Sequence, residues 1–255
     1  MINKKIIWIT GASTGIGKDL AIKFAKSGWH VAASARRENL LLDLNKINQN
    51  ISSFPLDVTN TENCKEVVNK IINRFGTIDI CVFCTGMHDP NSEKRFNLSK
   101  IREIMEVNFF GVMNSVNCIY DHFCEKKNGK IAIVSSVAGY RGLPAAGGYC
   151  ASKSALTSFT ESLYFDMRRK NVHVSLISPG FIKTPMTDKN DFPMPFLKSS
   201  SFAAERIYLG LTKKNNFEIH FPKIFTYMMK IIQILPNWMY FGAINFGNKY
   251  MKRDK

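Results

Sequence analysis

Residues 6–25 constrain the chain most. Ile6-Ile7-Trp8-Ile9 is an uninterrupted apolar run and reads as a strand buried on both faces. It stops at Thr10-Gly11-Ala12-Ser13-Thr14-Gly15-Ile16-Gly17, and a helical pattern with Leu20, Ile22, Phe24 and Ala25 follows. A strand, a glycine turn and a helix in that order make an anion site. The glycines permit a tight turn and close backbone approach. The helix N-terminus offers unpaired N–H groups and the positive end of its dipole to a pyrophosphate.

The rest of the chain repeats that alternation. Residues 30–34, 51–56, 78–83, 131–134, 172–177 and 217–221 read as further strands. Helices are expected over 38–48, 61–75, 99–120, 149–170 and 201–212. The pattern predicts an α/β fold of three layers, a doubly wound parallel sheet of seven strands with ligands at the carboxyl ends of the strands. The length, 255 residues, suits one such unit. Residues 1–222 are expected to form the dinucleotide-binding and catalytic domain, and 223–255 a helical C-terminal extension.

The strand ends supply the candidate cofactor contacts. Ala35-Arg36-Arg37 follows the second strand, where an acidic residue would accept from a ribose 2′-OH and a basic one would pair with a 2′-phosphate. Arg36 therefore predicts NADP(H); the alternative is that Arg36 and Arg37 only begin the next helix, facing water. Asp57 and Val58 close the third strand, and Asp57 either accepts from an adenine amino group or caps a helix. Gly86 follows the fourth strand. Pro179-Gly180-Phe181-Ile182-Lys183-Thr184 ends the sixth sharply, leaving backbone groups and a hydroxyl to grip a carboxamide or phosphate.

Chemistry is concentrated in residues 131–153. An apolar strand ends in Ser135-Ser136, and Tyr149 and Lys153 lie four residues apart on one helix face. A nearby ammonium favours the phenolate and lowers the Tyr pKa toward the working pH. With the Ser136 hydroxyl beside it, this is an acid–base site for a carbonyl/alcohol pair. Asn108, inside an apolar helical stretch, needs a hydrogen-bond partner. His88, in a polar loop over 87–98, could reach a substrate, although a lone loop His is usually just solvated. Residues 185–198, with three prolines among Met186, Met194 and Phe196, read as an apolar lid.

Composition excludes other classes. The net charge is +15, but Lys is spread along the chain and no aromatic-basic motif accompanies it, so no nucleic-acid partner is expected. The six cysteines show no metal spacing beyond Cys81 and Cys84, which sit in an apolar strand, so no metal site is expected. Residues 1–5 run into a short strand rather than a long apolar segment, and no apolar run is long enough to span a bilayer. A cytoplasmic setting fits.

Together these residues resemble the short-chain dehydrogenase/reductase family over about 4–222. The resemblance rests on the turn from Thr10 to Gly17, Asp57, Asn108, Ser136, Tyr149, Lys153 and Pro179-Gly180. It implies a Rossmann-like sheet in the order 3-2-1-4-5-6-7. It also implies roles. Tyr149 gives or takes the proton, Ser136 orients the carbonyl oxygen, and Lys153 lowers the Tyr pKa and bonds the nicotinamide ribose. Asn108 anchors a water that relays protons. The cofactor set it implies is Gly11, Ser13, Thr14, Gly15, Ile16, Gly17, Arg36, Asp57, Val58, Gly86, Tyr149, Lys153, Pro179, Gly180, Ile182 and Thr184. Thr14 stands where many NADP-preferring members carry a basic residue. Phe83-Cys84-Thr85-Gly86 replaces the usual Asn-Asn-Ala-Gly, whose amides would bridge strands.

The expected activity is NADP(H)-dependent interconversion of a carbonyl and an alcohol on an apolar substrate, with Tyr140, Leu143, Phe181 and Met186 in the pocket. The alternatives are a β-ketoacyl-thioester reductase and a non-catalytic dinucleotide-binding sensor or scaffold. The family implies a homodimer or homotetramer. In 223–255, Ile224 to Leu235 is apolar at helical spacing, and Trp238, Tyr240, Phe241, Phe246, Lys249, Lys252 and Arg253 follow. That tail is either a lid or subunit interface, or a peripheral contact with anionic lipid.

Overall fold

The computed structural model describes residues 4–250, with side chains throughout except at 91–92 and 247–250. Lys252 and Arg253 of the tail lie outside the described residues.

Strand β1 (Ile6–Thr10) is wholly buried and pairs in parallel with β2 (His30–Ser34) on one side and β4 (Ile80–Phe83) on the other. β3 (Ile51–Ser53) adds beyond β2. β5 (Lys130–Val134), β6 (His173–Pro179) and β7 (Glu218–Phe221) extend the sheet past β4, giving the order β3-β2-β1-β4-β5-β6-β7, all parallel. This is the expected Rossmann-like topology. Successive side chains of β1 point to opposite faces. Ile7 and Ile9 join Leu20, Phe24, Leu41 and Ile207 under α1 (Gly15–Lys26), α2 (Glu38–Ile47) and α7 (Ser200–Thr212). Ile6 and Trp8 join Val67, Val116, Phe123 and Leu163 under α3 (Thr61–Phe75), α5 (Gly111–Lys126) and α6 (Gly147–Arg168).

Three elements depart from the sequence reading. β3 stops at Ser53 although Phe54 N and Leu56 N still bond the carbonyls of Ala33 and Ala35. Pro55 between them sits at the edge of the sheet with its nitrogen on the unpaired side. β4 starts at Ile80, because Ile78 N turns to His122 Nε2 (3.3 Å) instead. The long helix expected over 99–120 is α4 (Leu98–Met105), a π-helical turn at Glu106–Phe110 and then α5. The wider turn carries Asn108, and such turns recur where a helix must re-aim one side chain.

The tail forms two helices, α8 (Lys223–Ile234) and α9 (Asn237–Tyr250). α8 is fixed to β7 by polar contacts. Lys230 pairs with Glu218, which also accepts from the Tyr140 hydroxyl (2.5 Å) and Ser178 (2.9 Å). His220 meets Thr226 (2.6 Å) and Lys223 (2.8 Å). Arg141 closes the end of α8 by donating to the carbonyls of Ile232, Gln233 and Leu235, and it stacks on Tyr240 at 4.1 Å. A cation there also suits the negative end of the helix dipole. No helix among the described residues is long and apolar enough to cross a membrane.

Candidate active site

The glycine turn opens a cleft of about 410 Å³ at the carboxyl ends of β1, β2, β4, β5 and β6. Gly11 has φ +68°, and a Cβ there would sit 2.8 Å from the Cys84 backbone. A Cβ on Gly17 would come within 2.4 Å of the Gly11 carbonyl oxygen, so only glycine lets α1 approach the turn this closely. Thr14 caps α1 without a side-chain bond, and the first turn carries no acidic residue. Its N–H groups and positive dipole end therefore face the cleft uncompensated. Arg37 reaches across it, donating from Nη2 to Ser13 Oγ (2.9 Å) and Thr14 Oγ1 (3.1 Å).

All the residues expected to bind cofactor line this cleft. From the turn these are Gly11, Ser13, Thr14, Gly15, Ile16 and Gly17; after β2, Arg36; after β3, Asp57 and Val58. Gly86, Tyr149, Lys153, Pro179, Gly180, Ile182 and Thr184 complete the wall. Asp57 does not cap α3. Asn60 does that through Asn63 N, while Asp57 Oδ1 accepts from Thr59 N and Oγ1 and shapes the turn. Arg37, with its bonds to the turn, is one of the cleft residues not assigned from sequence.

Ser136, Tyr149 and Lys153 converge at the inner end. Ser136 follows β5 in extended backbone, and its Oγ accepts from Ala138 N (3.1 Å). Tyr149 sits in the first turn of α6 and Lys153 one turn later. Lys153 is only 4 % exposed and donates from Nζ to the Val134 carbonyl (2.9 Å). Burial pushes Tyr149 up to about 12, against the pull of its hydrogen bond with Ser136. Burial takes Lys153 down to about 8, opposed by Cys84. Lys153 does not figure among the groups that shift Tyr149 in this arrangement. Its Nζ lies 5.8 Å from the Tyr149 ring centroid and bonds Val134, so desolvation dominates both groups. At neutral pH the phenol keeps its proton and the lysine its charge.

Asn108 is fully buried behind the cleft. Its Oδ1 accepts from Met87 N (2.7 Å), and its Nδ2 donates to Met87 O (3.0 Å) and Ser152 Oγ (3.0 Å). It thus pins the segment that leaves β4. A Cβ on Gly86 would lie 3.6 Å from Lys153 Nζ and 3.7 Å from Asn108 Oδ1, so both polar atoms face the space that glycine keeps open.

A second cavity of about 250 Å³ adjoins the cleft, and Ser136, Tyr149, Gly180, Met186 and Thr187 line both. Leu143, Phe181 and Met186 form its wall as expected, with Phe192, Pro193 and Pro195 from the 185–198 loop. Tyr140 does not line it. Its ring packs with Val137, Phe225 and Met229, and its hydroxyl is taken by Glu218, so it supports the wall from behind. The far side comes from the tail: Phe225 and Met229 of α8 and Ala243 and Ile244 of α9.

The model of the family described as short chain dehydrogenase matches residues 5–193, most of the chain. The chain belongs to that family. An uncharacterized oxidoreductase of Myxococcus xanthus is 33% identical over 239 residues, 92% of this chain and 94% of the relative. The 3-oxoacyl-[acyl-carrier-protein] reductase FabG of Thermotoga maritima is 33% identical over 210 residues, 81% of this chain and 83% of its own. Among solved structures, ElxO with NADP bound superposes with a TM-score of 0.75 at 26% identity, covering 85% of this chain and 97% of that one. The protein is accordingly a short-chain dehydrogenase-type oxidoreductase.

This short-chain dehydrogenase compensates its unusual Phe83-Cys84-Thr85 by packing. Phe83 is fully buried and meets Trp8 edge-on at 5.5 Å, while Cys84 N donates to Thr10 Oγ1 (3.2 Å) and keeps β1 and β4 tied at their ends. Burial raises the Cys84 thiol to about 11, so it stays uncharged beside Lys153. Sequence reasoning set aside two residues that the fold brings to the site. His88 lies with its ring centroid 4.4 Å from that of Tyr149, and Glu93 bonds both His88 and the start of α6.

Proposed function

We propose that the chain interconverts an apolar carbonyl compound and its alcohol with NADP(H). The observation that carries this is the junction of cleft and cavity: a basic, glycine-lined nucleotide cleft meets a mostly apolar cavity at Ser136 and Tyr149. The residues fit a dinucleotide, because the glycine cradle, the uncapped start of α1 and the Arg36-Arg37 pair match a pyrophosphate and a 2′-phosphate. The NADP in the ElxO structure supports the same choice. NADP(H), when bound, supplies or takes the hydride.

The chain's own residues handle the proton. Tyr149, protonated at neutral pH, donates to the carbonyl oxygen, and Ser136 holds that oxygen in place. The Lys153 ammonium steadies the phenolate that forms. Asn108 Oδ1 and Lys153 Nζ face the same space at Gly86, and a water held there would return the proton. The relative named as a 3-oxoacyl-[acyl-carrier-protein] reductase favours one second reading, reduction of a β-ketoacyl thioester. The test follows NADPH absorbance against ketones, long aldehydes and acyl-thioester mimics. A rate that persists in Tyr149→Phe would sink the assignment. NADPH binding with no turnover on any of the panel would favour a non-catalytic sensor.

Two partners belong to the same proposal. The outward face of the tail leaves Ile224, Ile231, Ile234, Trp238 and Phe241 exposed. Residues 223–255 carry six Lys or Arg against one Asp, a charge that suits an anionic bilayer and repels a second copy of itself. Flotation with phosphatidylserine vesicles, compared with neutral ones, checks that contact. A homodimer or homotetramer would use α5 and α6, where Phe165 stands 66 % exposed, and sedimentation reads it.

A further inference from the structure

His88 and Glu93 bracket a single helical turn, Pro90–Glu93, that folds back onto the catalytic helix. Their side chains are 11% and 3% exposed, unusually low for polar groups on a connecting loop. Glu93 Oε2 accepts from Gly148 N (2.7 Å) and Tyr149 N (3.3 Å), the uncapped start of α6, where the helix dipole favours negative charge. Glu93 Oε1 lies 3.1 Å from His88 Nδ1. One carboxylate thus sets both the start of the catalytic helix and the orientation of the imidazole.

The tautomer follows. A carboxylate only accepts, so Nδ1 carries the hydrogen and Nε2 holds a lone pair. Burial lowers the His88 pKa, while Glu93 and Asp89 pull it back up, and the ring is neutral in the neutral range. The same ring lies against Tyr149 and lines the apolar cavity. Nε2 is therefore a hydrogen-bond acceptor set beside the proton-transfer group, in a wall otherwise made largely of Leu143, Phe181, Phe192, Phe225 and Met229.

We propose that His88, fixed by Glu93, determines specificity by accepting a hydrogen bond from a second hydroxyl of the substrate. The two rings lie 4.4 Å apart between centroids and tilted by 33°, so a substrate hydroxyl that reaches the imidazole lies within a few bonds of the oxygen that reaches Tyr149. The substrate class is an apolar hydroxyketone or the corresponding diol. This rests on the carbonyl–alcohol reading above and narrows it. A neutral acceptor in a water-poor wall discriminates strongly, because a ligand without the donor leaves Nε2 unpaired.

The test uses a medium-chain methyl ketone and the same ketone with a hydroxyl on the adjacent carbon. Both are measured by kcat/KM with NADPH and by calorimetric affinity for the NADPH-loaded protein. The expected result is a preference of about tenfold or more for the hydroxyketone in both readouts. His88→Phe keeps an aromatic ring on Tyr149 but has no acceptor, and it brings the ratio of the two ligands close to one. His88→Gln, with a carbonyl oxygen, restores part of the ratio. A ratio cancels general damage to the loop. Equal affinity in the unmodified protein, or a ratio unmoved by His88→Phe, overturns the proposal. Selective binding of the hydroxyketone without turnover of either ligand would instead leave His88 recognition standing and remove the proposed reaction.

Discussion

The nucleotide cleft and the apolar cavity share one wall and are built in opposite ways. The cleft is assembled mainly from strand ends and the few residues after each, joined by Val107, Tyr149 and Lys153 from helical turns, so most contributors are local to a strand–turn–helix unit. The cavity is assembled from the 137–146 loop, the 185–195 loop and two tail helices, and nothing local ties those segments together. The difference teaches where each function is adjustable. A parallel sheet leaves one crevice for a dinucleotide. The cavity can be re-lined by changing the tail without touching that crevice.

Four substitutions or conditions would break or sharpen this contrast. The largest effect is expected at the shared wall. Tyr149→Phe should lower kcat by about 10²–10⁴-fold, the usual contribution of a positioned acid, while NADPH still binds, as read by its fluorescence. Loss of NADPH binding together with the rate would mean that the cleft and the cavity are not separable.

On the cavity side, Phe225→Ala removes a ring that stacks on Phe181 at 5.5 Å and touches the Gly180 segment. Chemical denaturation should show a loss of about 3 kcal/mol. KM for the carbonyl should rise and KM for NADPH should hold. A rise in both would place α8 at the cleft as well.

On the cleft side, replacing Arg36 and Arg37 together by Ala should reduce the NADPH-over-NADH ratio of kcat/KM by on the order of tenfold to a hundredfold, the worth of charged hydrogen bonds. An unchanged ratio would assign Arg37 to holding the turn through Ser13 and Thr14 and leave Arg36 without a part in cofactor choice.

The smallest effect concerns pH and the tail. Burial takes His220 down to about 4 from 6.5, helped by Lys223 and Lys230. Glu218 also lies below its ordinary value: burial raises it, but bonds from Lys230, Tyr140 and Ser178 more than offset that. Both groups hold fewer protons folded than unfolded. The cost of keeping His220 uncharged is absent above about pH 6.5 and grows as pH falls toward 4, whereas the contribution of Glu218 is full above about pH 4.5 and is lost only below it, on the order of 1–3 kcal/mol in all after screening by solvent. Proteolysis within α8 should accelerate over that range, before the sheet melts. Cleavage independent of pH would show that the tail is held by its apolar contacts alone.

What could be read beforehand follows the same division. The turn from Thr10 to Gly17 has φ and packing demands that only its glycines meet, so its sequence already names its structure. Tyr149 and Lys153 lie one helical turn apart, a spacing that secondary structure alone fixes, while Ser136 at the end of a strand meets them across the 137–146 loop. Tyr140 was misplaced because its direction depends on Glu218, 78 residues away, which no periodicity reveals. The Tyr149 pKa stands raised and that of Lys153 lowered because desolvation is a property of the whole surround and not of the pair, which spacing alone does not reveal.

By itself, then, the sequence determined the alternation of strands and helices, the glycine cradle and the shared helix face of Tyr149 and Lys153, since those rest on hydrophobic period, backbone sterics and spacing within one turn, while the strand order came with the family resemblance. The tertiary structure decided the rest: that Phe83 and Trp8 pack where amides would bridge, that Arg141 closes α8, and that Glu93 turns His88 onto Tyr149. Each of these joins residues whose meeting depends on how loops and the tail cross the sheet, and long-range packing, not local preference, sets that geometry.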